Sequence, residues 1–79
     1  MYRVDLRPRA EKDIEALPPA MSRRILETIA SLGAEPRPHG VQKLAADGGY
    51  RVRVGDYRIV YEIADAAQIV TITRIRRRR

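Results

Sequence analysis

Tyr50-Arg51-Val52-Arg53-Val54-Gly55-Asp56-Tyr57-Arg58-Ile59-Val60-Tyr61-Glu62-Ile63 decides the fold. Apolar and polar residues alternate on both sides of Gly55-Asp56, which is the period of strands with one buried face. A two-residue turn with glycine first favours type II′ and fixes the register of the hairpin. Val54 then faces Tyr57, Arg53 faces Arg58, Val52 faces Ile59, Arg51 faces Val60 and Tyr50 faces Tyr61. Tyr50, Val52, Val54, Tyr57, Ile59, Tyr61 and Ile63 fall on one side. The other carries Arg51, Arg53 and Arg58, with Arg53 directly across from Arg58. Like charges so placed destabilise a sheet, and the placement invites an anion. A solvated face on which the arginines splay apart, with Glu62 diagonal to Arg51 as partial compensation, is the competing account.

Upstream, Tyr2, Val4 and Leu6 alternate with Arg3, Asp5 and Arg7 as a first strand. Pro8 suits the first position of a helix, and Ala10, Ile14 and Leu17 recur at helical spacing with Glu11 and Asp13 in the early turns. Pro18-Pro19 ends that helix. Pro19 opens a second, with the stripe Met21, Ile25, Ile29 and Leu32 and with Gly33 at its C-terminal cap. The two form a helical hairpin. Residues 34–49 read as a long connection holding a short structured piece at Val41 to Leu44. Downstream, Ala64 to Ala67 turns the chain into a last strand from Gln68 to about Ile75. Its register stays open, because Ile69, Val70, Ile72 and Ile75 fall on both faces.

The expected fold is therefore α+β, a helical hairpin packed on one face of a small, mainly antiparallel sheet in the order β-α-α-β-β-β. One domain spans residues 1–79. A chain this short buries only about 60% of its unfolded surface, so it has one thin core and room for one site. The expected core is Tyr2, Val4, Leu6, Ile14, Leu17, Ile25, Ile29, Leu32, Val52, Ile59, Tyr61 and Ile72.

Composition narrows the chemistry. The absence of cysteine excludes a disulfide framework, a thiolate nucleophile and a sulfur-based zinc site, and fits a reducing cytoplasm. No run approaches the roughly 18 apolar residues of a membrane span, so no membrane partner is expected. Lys and Arg number 16 against 10 Asp and Glu, for a net charge of +6. All but Lys12 and Lys43 of those cations are arginine, whose planar fork grips phosphate oxygens bidentately. A GC-rich genome would produce the same bias. Arg74, Arg76, Arg77, Arg78 and Arg79 bring further guanidinium groups to one end of the molecule, either joining the sheet arginines or forming a mobile basic tail. His39 reads as an exposed loop residue, the sheet tyrosines as core with hydroxyls at the rim, and Asp47, Asp56 and Asp65 as turn residues. With no paired carboxylates, histidine-rich metal cluster or phosphate-binding glycine loop, phosphate chemistry by electrostatics is what remains.

The stretch from Tyr50 to Ile63 resembles the signature of the RelE/ParE toxin superfamily of bacterial type II toxin–antitoxin systems. Ala10 to Pro18, the helix holding Arg24 to Leu32, and Pro36-Arg37-Pro38-His39-Gly40-Val41-Gln42-Lys43-Leu44 follow that family's usual order, so the likeness spans nearly the whole chain. For RelE-like members it implies a metal-independent, ribosome-dependent endoribonuclease that cuts messenger RNA in the decoding site, inhibits translation and needs no cofactor. It assigns the catalytic positions to Arg51 and Arg53, Arg58 and Arg78; the other basic residues Lys43, Arg74, Arg76, Arg77 and Arg79 are expected to bind RNA. The implied partners are an acidic cognate antitoxin, messenger RNA on the ribosome, and operator DNA through the antitoxin complex. Two departures stand out. Some active members carry lysine at the positions of Arg51 and Arg53, whereas arginine is too weak an acid to serve as a general base. Such toxins also continue to a catalytic tyrosine, whereas this sequence stops at Arg79; slow or absent cleavage is the expectation only if that end is the natural one. A ParE-like gyrase inhibitor and an inert homologue acting in an antitoxin–DNA complex are the alternatives.

Overall fold

Pro8 and Pro19 each open a helix, where the missing amide hydrogen costs nothing and the ring supplies the helical φ. In the computed structural model, which describes residues 1–44 and 49–78, strand β1 (Arg3–Leu6) leads into helix α1 (Pro8–Glu15) and helix α2 (Pro19–Leu32). Strands β2 (Gln42–Lys43), β3 (Tyr50–Val54), β4 (Tyr57–Ala64) and β5 (Ile69–Arg77) follow. The sheet order is β1-β5-β4-β3-β2, with β1 parallel to β5 and every other pair antiparallel. Its second strand, β2, is the structured piece expected within Val41 to Leu44. The turn expected at Asp47 lies outside the described residues.

The hairpin register is the one expected, from Val54↔Tyr57 to Tyr50↔Tyr61. Gly55 sits at φ 58° while Asp56 keeps a negative φ, the signature of a type II′ turn. A Cβ at Gly55 would also come within 3.2 Å of the Met21 methyl. Gly33 works differently from a left-handed cap. Its φ is −65°, and its lack of a side chain instead lets β1 approach, since a Cβ there would meet the Tyr2 carbonyl at 3.0 Å.

One face of the sheet is covered by both helices. Ile25, Ile29 and Leu32 of α2 and Ala10 of α1 pack on Val54, Ile59, Tyr61, Val70, Ile72 and Ile75, all under 9% exposed. Six of the twelve expected core residues are fully buried, and the rest form a half-buried rim. Val54, Val70 and Ile75 are deeper than expected, and β5 supplied the difficulty. Val60 pairs with Arg74 and Tyr61 with Ile72, so Thr73 is an extra residue, a β-bulge whose hydroxyl donates to the Val60 carbonyl at 3.0 Å. The bulge resets the alternation, so that Val70, Ile72 and Ile75 all face the helices.

At the far end, Arg37 grips Asp65 through two bonds of 2.9 and 3.2 Å, and the Tyr2 hydroxyl donates to the same carboxylate at 2.6 Å. Arg37 also donates to the Tyr50 hydroxyl at 3.2 Å and lies over its ring, which stacks on Tyr61. The Tyr61 hydroxyl closes the set by donating to the Pro36 carbonyl at 2.7 Å. Asp65 is thus more than a turn residue, since it ties the loop after α2 to the sheet. Among the described residues no helix is long and apolar enough to cross a membrane.

Candidate functional site

The face away from the helices carries the guanidinium groups in rows set by the ladder. Arg53 of β3 pairs with Arg58 of β4, and Arg58 pairs with Arg76 of β5, so three arginines stand abreast across three adjacent strands. One row along, Arg51, Val60 and Arg74 are abreast. Strand β5 runs two residues beyond Ile75, so Arg76 and Arg77 belong to the sheet instead of a tail. Arg78 follows with its amide donating to the Asp56 carbonyl at 2.7 Å, which pins the chain end beside the β3–β4 turn.

Arg58 is the centre of this surface. It lines three clefts: one of about 170 Å³ with Gly40, Gln42, Arg51 and Arg53, one of about 520 Å³ with Asp56, Arg77 and Arg78, and one of about 510 Å³ floored by Leu44, Val60 and Thr73. Partial desolvation lowers its pKa below the usual arginine value, and repulsion from Arg51, Arg78, Arg53 and Arg76 adds to that shift. Among the described residues none of Arg51, Arg53, Arg58, Arg76, Arg77 or Arg78 forms an ion pair with a carboxylate. Glu62 sits opposite Thr71, and the Arg51 Nε donates instead to the Gln42 amide oxygen at 2.8 Å. Gln42 is therefore a site residue that the sequence reading missed, because nothing in the pattern marked β2 as the neighbour of β3.

The other expected positions divide. Arg74 is spoken for: its Nε donates to Asp13 of α1 at 3.0 Å, and the same carboxylate accepts the Ile75 amide at 2.9 Å and lies 3.5 Å from Arg9. Burial alone would raise the Asp13 pKa, but the Ile75 amide and Arg74 outweigh it and hold the carboxyl below its ordinary value. Lys43 pairs with Tyr50, so the register roots it on the helix side, away from Arg51. Arg77 pairs with Tyr57 and is likewise rooted on that side, though it reaches the rim of two clefts. Arg79 lies outside the described residues. His39 is exposed in the loop before Gly40. Among the described residues no three His, Asp or Glu side chains are grouped as a metal would need.

An unpaired set of guanidinium groups at close quarters is stable only with an anion or bulk water over it, and its fixed positive potential suits a phosphodiester. The comparisons with known proteins agree on a family. The model of the ParE toxin of the type II toxin–antitoxin system parDE matches residues 4–79. A relative from Methanocaldococcus jannaschii named as toxin RelE1 is 32% identical over 81 residues, covering 98% of this chain and 90% of its own length. The toxin–antitoxin complex RelBE2 of Mycobacterium tuberculosis contains a chain of the same fold, with a TM-score of 0.86, 30% identity and 98% of both chains covered. The archaeal RelE–RelB complex of Pyrococcus horikoshii OT3 matches with a TM-score of 0.84 and 31% identity over 98% of this chain and 94% of that one. The chain belongs to the RelE/ParE superfamily of type II toxin–antitoxin toxins.

Proposed function

We propose that this toxin is a ribosome-dependent endoribonuclease that cleaves messenger RNA at the arginine face. The observation that carries the reading is the row Arg53–Arg58–Arg76, flanked by Arg51 and Arg78 and, among the described residues, without a carboxylate partner. In the reaction a ribose 2′-oxygen bonds to the adjacent phosphorus and the bond to the 5′-oxygen breaks. The proton lost by the 2′-hydroxyl is balanced by one gained at the 5′-oxygen, leaving a cyclic phosphate and a free 5′-hydroxyl. Negative charge builds on the non-bridging oxygens at the midpoint, where donors already fixed in place act most strongly. Arg58 would meet those oxygens, assisted by Arg51, Arg53 and Arg78, which line clefts with it. These groups supply charge only, since a guanidinium stays protonated and takes no proton from the hydroxyl.

The same surface accounts for the partners. An acidic, partly disordered antitoxin would fold over the arginines and neutralise them, and the antitoxin complex would carry the toxin to operator DNA. The setting for all of these is the cytoplasm. Mapping of messenger RNA ends with and without ribosomes tests the reading: cuts inside codons are expected only when ribosomes are present, and Arg58→Gln should remove them. Intact messenger RNA in arrested cells would refute it. The match to the ParE toxin model over residues 4–79 favours a second reading, inhibition of DNA gyrase by binding, whose mark would be accumulated DNA breaks.

A further inference from the structure

Val60 is out of place on the arginine face. It stands between Arg51 and Arg74 in its row, on the side away from the helices, and is only half-buried. Its β-branched shape suits the strand, but its apolar surface adds nothing to the core, which lies on the opposite face. Leu44 and Thr73 adjoin it, and the three form the floor of the cleft of about 510 Å³ whose rim includes Arg51, Arg58 and Arg76. That size falls within the ~300–1,000 Å³ typical of small-molecule sites.

We propose that this floor is a nucleobase subsite, holding the base of a single-stranded RNA nucleotide whose phosphate lies on Arg58. The proposal rests on the reading of Arg58 as a phosphate-binding residue and adds to it how the neighbouring base is held. A nucleotide joins a flat apolar ring to an anion, which is the pairing of an apolar floor with a cationic rim. Val60 lies two residues from Arg58 along β4, about 7 Å at strand rise, comparable to the reach from a nucleotide phosphate across its ribose to the base. Guanidinium planes at the rim stack on base faces as readily as they bind phosphate, so Arg51 and Arg76 can cover the ring from the sides. The Thr73 hydroxyl is already committed to the Val60 carbonyl, which leaves its methyl for the floor. The subsite therefore grips any base by its face more than it reads the edge.

Titration of the free toxin at low salt with ribose 5-phosphate and with adenosine 5′-monophosphate, followed by NMR, tests this. Both ligands should shift the Arg58 side-chain resonance, and the nucleotide should bind tenfold or more tighter, the increment expected of one stacked base. Ring-current shifts should centre on the Val60 and Thr73 amides. Val60→Thr keeps the β-branched shape and the strand, replaces a methyl with a hydroxyl, and should cut the nucleotide's advantage below threefold while leaving ribose 5-phosphate unchanged. Equal affinity of the two ligands for the parent would overturn the subsite and leave the phosphate site standing. Absence of any shift at Arg58 with ribose 5-phosphate would overturn both. A Val60→Thr protein that keeps its nucleotide preference but binds its antitoxin less tightly would assign the floor to the protein partner and overturn the proposal.

Discussion

Asp13→Ala should cost this small toxin a large share of its stability, although Asp13 belongs to neither the core nor the arginine face. Strand β1 stops at Leu6, opposite Ile72, so β5 has no neighbour on that side from Thr73 onward. Asp13 takes over that edge by accepting the Ile75 amide at 2.9 Å and the Arg74 Nε at 3.0 Å, with only 15% of its side chain exposed. Truncation leaves a nearly buried amide without an acceptor, about 1–3 kcal/mol, and breaks a charge-assisted bond of comparable worth. Because the two share one carboxylate and Arg74 can turn to water, the sum is about 2–4 kcal/mol. A domain of this size has roughly 4–12 kcal/mol in all, so the melting temperature should fall by about 10–25 °C. Asp13→Asn separates the contributions: its amide oxygen still serves Ile75, and the loss should be about half. The carboxyl's pKa is lowered on folding, so its contribution is complete above about pH 4 and fades as pH drops further. Urea unfolding of the three proteins by circular dichroism, with exchange protection of the Ile75 amide, measures all of this. Asp13→Ala within 0.5 kcal/mol of the parent, or indistinguishable from Asp13→Asn, would refute the edge-capping argument.

Three further outcomes follow from other parts of the structure. Arg58→Gln should abolish growth arrest yet raise the melting temperature, because it removes two cross-strand like-charge pairs, and the gain should shrink as salt rises from 0.05 to 0.5 M, at about the screening expected for exposed charges. Asp65 is held at about 2 against an ordinary 3.8, first by the Arg37 bond and then by Tyr2, so its contribution is present above about pH 4 and is lost as pH falls toward 2. Acid titration of Asp65→Asn should lack that step. Gln68 holds a left-handed φ of 56° in the turn before β5, and Gln68→Gly should stabilise by about 0.5–1 kcal/mol, read as a shift of the urea midpoint at constant slope.

Local chemistry made most of the fold legible. Pro8 and Pro19 marked helix starts, Gly55-Asp56 set a hairpin register that holds at every pair, and Ile25, Ile29 and Leu32 recurred at the spacing that buries them. Contacts between residues distant in the chain were not legible. Asp13 read as an ordinary acid of the early helical turns because its partners Arg74 and Ile75 lie 61 and 62 residues away. Asp65 read as a turn residue for the same reason, its partners being Arg37 and Tyr2. The candidate site was readable where two strands are joined by a tight turn, at Arg51, Arg53 and Arg58. On the third strand the arginines could be named but not set in register, because that strand arrives through a bulge.

That bulge is where core and site are reconciled. Strict alternation from Val70 and Ile72 would turn Arg74, Arg76 and Arg78 toward the helices and Ile75 toward water. Burying unpaired guanidinium groups costs far more than exposing one isoleucine, so a regular β5 would have to end at Ile72 or peel away from the sheet. The extra residue at Thr73 removes the conflict. Ile75 turns inward to 5% exposure, and Arg76 comes abreast of Arg58 on the open face. The row of three arginines therefore depends on one unpaired threonine as much as on the arginines themselves. It also explains why Asp13 matters at a distance, since the strand segment that carries Arg76 lies beyond the point where β1 can hold it. Positive charge is concentrated here by backbone geometry first and by composition second, which is how a chain of 79 residues sets its arginines abreast on one face.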